Sequence, residues 1–60
     1  MPKKPTKANI KSAAELTIEH EGSVEAAITS YEQSKQLAEG SGDDLSVDTF
    51  NRLIKYCRNR

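Results

Sequence analysis

Val47-Asp48-Thr49-Phe50-Asn51-Arg52-Leu53-Ile54-Lys55-Tyr56-Cys57 carries the clearest periodicity in the chain. Val47, Phe50, Leu53, Ile54 and Cys57 follow one another at helical intervals, so they fall on one side of a helix with about 3.6 residues per turn. The polar residues between them fall on the other side. Alternation with a period of two, which marks a half-buried strand, occurs nowhere in the sequence. The spacing predicts a helix over about 47–58, opened by Ser46 as N-cap, with Asp48 in its first turn.

Working toward the N-terminus, Gly40-Ser41-Gly42-Asp43-Asp44 has the composition of a turn. Before it, Val24, Ala27, Ile28, Tyr31 and Ala38 form the main stripe of a helix over 24–39, with Ala26, Ser30 and Leu37 as a second, weaker one. Two stripes suit a helix that touches two neighbours. Gly40 is expected to stop it, and Ser23 to cap its start, with Glu25 placed to suit the helix dipole. Ile10, Ala13, Ala14, Thr17 and Ile18 share a face of a further helix over 10–21, with Asn9 as N-cap and Gly22 as its end. Residues 1–8, with two prolines and three lysines, read as a disordered basic arm. The expected fold is all-α: a small three-helix bundle over residues 9–58 with a flexible basic N-terminal arm.

Sixty residues make one domain at most. With 35% hydrophobic residues and a mean hydropathy of −0.73, the chain holds no apolar run near the ~20 residues of a membrane helix. No apolar stretch follows Met1-Pro2-Lys3-Lys4-Pro5 to make a secretory leader. One cysteine can form neither an internal disulfide nor a cysteine-based zinc site, which points to a reducing, cytoplasmic setting. Large apolar side chains are few, so the core is thin, and a homodimer or another protein partner would complete it.

Net charge is zero, but the charges are sorted along the chain. Residues 1–11 carry four lysines and no acid, residues 12–51 carry all nine acids against Lys35 alone, and residues 52–60 carry four cations and no acid. Two arrangements follow. The basic ends neutralise the acidic middle within the molecule, or they form one surface for an anionic partner with the acids facing away.

Ser34 to Lys55, SKQLAEGSGDDLSVDTFNRLIK, resembles the helix-turn-helix motif of DNA-binding regulators. Leu37-Ala38 precedes Gly42 by four positions, Leu45-Ser46 follows, and Thr49-Phe50 with Arg52-Leu53 stands where the recognition helix would begin. The chain departs from the motif at Asp43-Asp44, two positions inserted in the turn, and these aspartates and Asp48 would stand close to phosphates. The resemblance implies a DNA-binding regulator. Thr49, Asn51 and Arg52 would meet base edges or phosphates, and Lys55 and Arg58 the backbone. The arm residues Lys3, Lys4 and Lys7 would reach an adjacent minor groove. Gly22-Ser23-Val24-Glu25-Ala26-Ala27 also looks like the start of the last helix of ubiquitin-associated domains, but the hydrophobic loop those domains carry upstream is missing.

The remaining polar groups read as structural. His20 suits the end of its helix and has no second histidine with which to hold a metal. Cys57 lies on an apolar face and reads as an inert core thiol. Asp43, Asp44 and Asp48 lack the glycine and glutamate spacing of a calcium loop. No motif sets a nucleophile beside a base, and so short a helical chain has few walls with which to enclose a pocket of about 300 Å³. No enzymatic activity, cofactor or metal is expected. Two functions compete: DNA binding through helices two and three with the arm, and an interaction module of inhibitor, adaptor or antitoxin type that docks its acidic helices one and two on a basic protein surface. The first needs Thr49, Asn51, Arg52 and Lys55 on one free face. Arg52 or Lys55 tied to Glu15, Glu19 or Glu32 would count against it. The second needs an exposed apolar patch near Leu16, Ala26, Leu37 or Tyr56.

Overall fold

A computed structural model describes residues 4–60 as three α-helices: α1, Lys7–Glu21; α2, Val24–Gly40; and α3, Asp44–Arg58. No strand occurs among the described residues, so the fold is the all-α three-helix bundle that the periodicity predicts. Each helix begins and ends for a local chemical reason. In two cases that reason lies three residues earlier than expected.

The start of α1 is Thr6, whose hydroxyl accepts a hydrogen bond from the Asn9 amide at 3.1 Å. Asn9 therefore sits inside the first turn rather than before it, and Lys7 and Ala8 are helical instead of part of the arm. Pro5 immediately upstream has its ring-fixed backbone outside the helix, which leaves Thr6 as the first residue able to cap. Likewise α3 opens at Asp43, not Ser46. The Asp43 carboxylate accepts from the Ser46 amide at 3.2 Å and from the Ser46 hydroxyl at 2.6 Å. Both bonds favour the ionised form and hold its pKa below the usual carboxylate range. Between two good capping residues the charged one prevails, because a carboxylate also complements the helix dipole.

Ser23 caps α2 as the sequence suggests, accepting from the Ala26 amide at 3.1 Å. Its far end differs: Gly40 is the last helical residue, and Gly42, at φ 71°, makes the turn. The Asp43 amide reaches back to the Ala38 carbonyl at 2.9 Å and the Gly42 amide to Glu39 at 3.1 Å, the paired bonds of a Schellman ending. The left-handed residue of that ending disfavours a Cβ whatever the free space around it. Gly42→Ala is thus expected to cost about 1–2 kcal/mol, whereas Gly40→Ala, two residues away in helical geometry with nothing within 4 Å of a new Cβ, is expected to stabilise by up to about 1 kcal/mol. Urea unfolding midpoints of the two variants should move in opposite directions.

Buried Ile10, Ala14, Ala27, Tyr31, Leu53, Ile54 and Cys57 make up the core, with Ile18, Val24, Ile28, Phe50 and Tyr56 packed around them. Ala14 and Ala27 are wholly buried, so α1 and α2 each present a small residue where the helices approach. Tyr31 joins all three helices. Its hydroxyl donates to Thr17 Oγ1 at 2.7 Å on α1, and its ring lies 6.2 Å from that of Phe50 on α3. Cys57 is buried here, and burial pushes its thiol pKa up, away from thiolate reactivity. Leu37 does not follow its expected stripe: it is 76% exposed, as is Leu16 to 68%. They are separate residues on separate helices, while Ala26 and Tyr56 are half-buried. No helix among the described residues is long and apolar enough to cross a membrane.

Candidate functional site

Successive helices of a bundle joined by short turns run in opposite directions, so α1 and α3 run the same way. Contacts between them agree with this: Arg52 meets Pro5 at one end, and Tyr56 and Arg60 meet Glu15 further along. This direction brings the basic start of the chain beside the basic end. Lys7 and Lys11 lie one turn apart on α1, and Arg52 and Lys55 one turn apart on α3. These four cations border a cleft of about 490 Å³, with Ile10, Tyr56 and Asn59 completing its lining. The cleft is open to solvent rather than enclosed.

No acidic residue lines the cleft. Among the described residues the ion pairs are made by other cations: Arg60 with Glu15 at 2.7 Å, Arg58 with Glu32 at 3.7 Å and Lys35 with Glu39 at 3.8 Å. Internal neutralisation is therefore partial. Arg58 and Arg60 pair with acids of the middle segment, and the four cleft cations make no ion pair among the described residues, although Lys11 adds to the field that lowers the Glu15 pKa. Neither Arg52 nor Lys55 is tied to Glu15, Glu19 or Glu32.

Two fixed points shape the cleft. Arg52 Nη1 donates to the Pro5 carbonyl at 2.7 Å, which ties residue 5 to α3. At the other end Glu15 receives Tyr56 Oη at 2.6 Å and two nitrogens of Arg60 at 2.7 and 3.0 Å. The Arg60 and Tyr56 hydrogen bonds hold the Glu15 carboxyl down at about 2, and the same bond raises the Tyr56 phenol. Since the folded pKa lies below the ordinary 4.5, this latch contributes fully above about pH 4.5 and is lost as pH falls toward 2. Glu15→Gln is expected to flatten the fall in stability over that window, measured as urea midpoints from about pH 6 to 2; the Asp43 share of the fall should remain.

The other residues singled out from the sequence are dispersed. Thr49 donates its hydroxyl to the Leu45 carbonyl at 3.0 Å, within its own helix. Asn51 is exposed, two residues from Thr49 and so turned well away from it around α3. Thr49 and Arg52, Arg52 and Lys55, and Asn51 and Lys55 are each one turn apart, so the four spread over a broad side of α3, with Thr49 and Asn51 at its two edges. Arg58 is exposed and paired with Glu32, outside the cleft lining. Lys4 is exposed, and Lys3 lies outside the described residues. Exposed Asp44 and Asp48 precede Arg52 on α3, so the first half of that helix is acidic outside and the second half basic. Lys11, Ile10 and Tyr56 were missed as site residues. The signal for Lys11 was present in its spacing of four from Lys7.

Comparison with protein-family models, with curated proteins and with solved structures finds no match for this chain.

Proposed function

We propose that this is a small non-enzymatic regulatory protein of the reducing cytoplasm that binds DNA, with the phosphate backbone gripped in the α1–α3 cleft. One observation carries the reading: Lys7, Lys11, Arg52 and Lys55 converge from two helices around a cleft with no acidic lining. Cations grouped in this way cost repulsion that an anionic ligand relieves, and phosphate contacts release counterions. The reading keeps the basic N-terminal segment and α3 from the helix-turn-helix resemblance. It shifts the contact to the second half of α3 and to α1, away from Asp44 and Asp48. Lys4, exposed and next in sequence to the tethered Pro5, is available to add a further phosphate contact.

The test is fluorescence anisotropy of labelled DNA at about 50 and about 200 mM salt. Four phosphate contacts give log K a slope of roughly −3.6 against log salt, so affinity is expected to fall on the order of 100-fold between the two conditions. DNA that stays unbound at tens of micromolar protein in low salt sinks the reading.

A second reading rests on Leu16, 68% exposed on α1 with acidic Glu19 one turn on. An apolar side chain beside a carboxylate suits an interaction module docked on a basic protein surface. The reading stands second because it rests on a single exposed side chain, whereas four cations converge on the cleft.

A further inference from the structure

Of the cleft lining, Ile10 is buried and Tyr56 half-buried while Lys7, Lys11 and Lys55 are exposed, which puts an apolar floor beneath cationic edges, and these two properties ask different things of a ligand. Phosphate oxygens suit the edges. A phosphate placed on Ile10 and the Tyr56 ring would exchange its hydration for carbon and gain no hydrogen bond there. A ligand that fills the whole cleft must therefore carry anions on its flanks and a flat apolar group between them. Duplex DNA presents phosphates and groove edges while its bases stay stacked inside, so it would leave the floor empty. A single strand alternates phosphate, base and phosphate, in the order that the cleft requires.

We propose that the α1–α3 cleft seats an unpaired base of single-stranded DNA on Ile10 and Tyr56, with the flanking phosphates held by Lys7 and Lys11 on one wall and Arg52 and Lys55 on the other. The proposal rests on the DNA reading above and names the form of DNA that the same site prefers. The volume of about 490 Å³ lies in the range of about 300–1,000 Å³ that seats small organic groups. Both ends of the floor are fixed before any ligand arrives, by the bond from Tyr56 to Glu15 and by that from Arg52 to Pro5. Little ordering is then needed on binding.

The experiment compares three labelled ligands on the unmodified full chain at about 0.1 M salt: a strand of roughly 12 nucleotides, the same strand with abasic sites in its middle, and the matching duplex. The base-bearing strand is expected to bind roughly tenfold more tightly than the abasic one, a difference that reports on the bases because the phosphates of the two strands are the same. In a parallel titration with the unlabelled strand, the NMR signals of the Ile10 methyls and the Tyr56 ring are expected to shift. Equal affinity for strand, abasic strand and duplex overturns the proposal and leaves the DNA reading intact, since the cleft then grips phosphate alone. Failure of all three ligands to bind overturns both. An acidic, phenylalanine-bearing peptide that displaces the strand more effectively than unlabelled strand does would also overturn it, in favour of a protein ligand.

Discussion

Replacing Lys11 and Lys55 together by alanine is expected to lower affinity for duplex DNA roughly 60-fold at about 0.1 M salt, because each duplex phosphate contact is worth a factor of about 8 there through counterion release. The slope of log K against log salt should become shallower by about two at the same time. The two lysines stand on opposite walls of the cleft, both are exposed, and neither makes an ion pair among the described residues. Their removal therefore takes two contacts from the ligand and little from the fold. Circular dichroism should show unchanged helix content. The matched control is Lys35→Ala with Arg58→Ala, which removes the same net charge from cations already engaged by Glu39 and Glu32. A cleft that grips phosphates predicts a much smaller loss for the control, with no change of slope. Equal losses in the two doubles would mean that DNA responds to overall charge and that the cleft has no special part in binding it.

That contrast separates two kinds of information in the charge pattern. The sorting of cations to the two ends is plain in the sequence, but sorting alone does not say which cations meet which acids. Around α3, Arg52 faces the side of α1 and Arg58 the side of α2, although only six residues separate them. The outcome for each depends on which acids the neighbouring helix offers there, namely Glu32 for Arg58 and none for Arg52. Such pairing is a tertiary property. The cleft itself arises because α1 and α3 run in the same direction, which brings Lys7 near Arg52 and Glu15 near Arg60. A spacing of four picks out Lys7 with Lys11, and a spacing of three Arg52 with Lys55, but only the bundle sets one pair beside the other.

Helix identity, by contrast, was legible almost residue by residue, because an amphipathic stripe reports on burial directly. Val47, Phe50, Leu53, Ile54 and Cys57 face inward or partly inward as their spacing predicts. The missed boundaries share one cause. Thr6 and Asp43 each lie three residues before another good capping residue, and preference scales rank such pairs too closely to choose between them. At Asp43 the charge decides, and at Thr6 the proline before it does. Gly40 and Gly42 posed the same problem at a helix end. Either can stop a helix, and only the backbone conformation shows that Gly42 is the one that takes the left-handed position.

Leu53→Ala should unfold a large share of the molecules, whereas Leu37→Ala should be nearly silent. In composition these are the same change, and Leu37 lay on an expected stripe as Leu53 did. Leu53 is 5% exposed and belongs to the cluster that joins the three helices, so its truncation removes buried methyl groups and leaves a cavity. Changes of that kind cost about 2–5 kcal/mol. A domain of 60 residues has roughly 3–9 kcal/mol of stability in total, so the loss consumes much or all of it. Leu37 is 76% exposed, and truncation at such sites stays within about 0.5 kcal/mol. The difference in position comes from the helix period: Ala38 falls on the same side of α2 as buried Ala27 and Tyr31, while Leu37, one residue earlier, is turned about 100° away from it. Thermal unfolding followed at 222 nm would show a low or absent transition for Leu53→Ala and an almost unchanged one for Leu37→Ala. Comparable losses at both positions would mean that Leu37 is covered in solution, by a second copy of the chain or by another part of it, and repeating the melt of the unmodified protein over a range of concentrations would identify the second copy through a concentration-dependent midpoint.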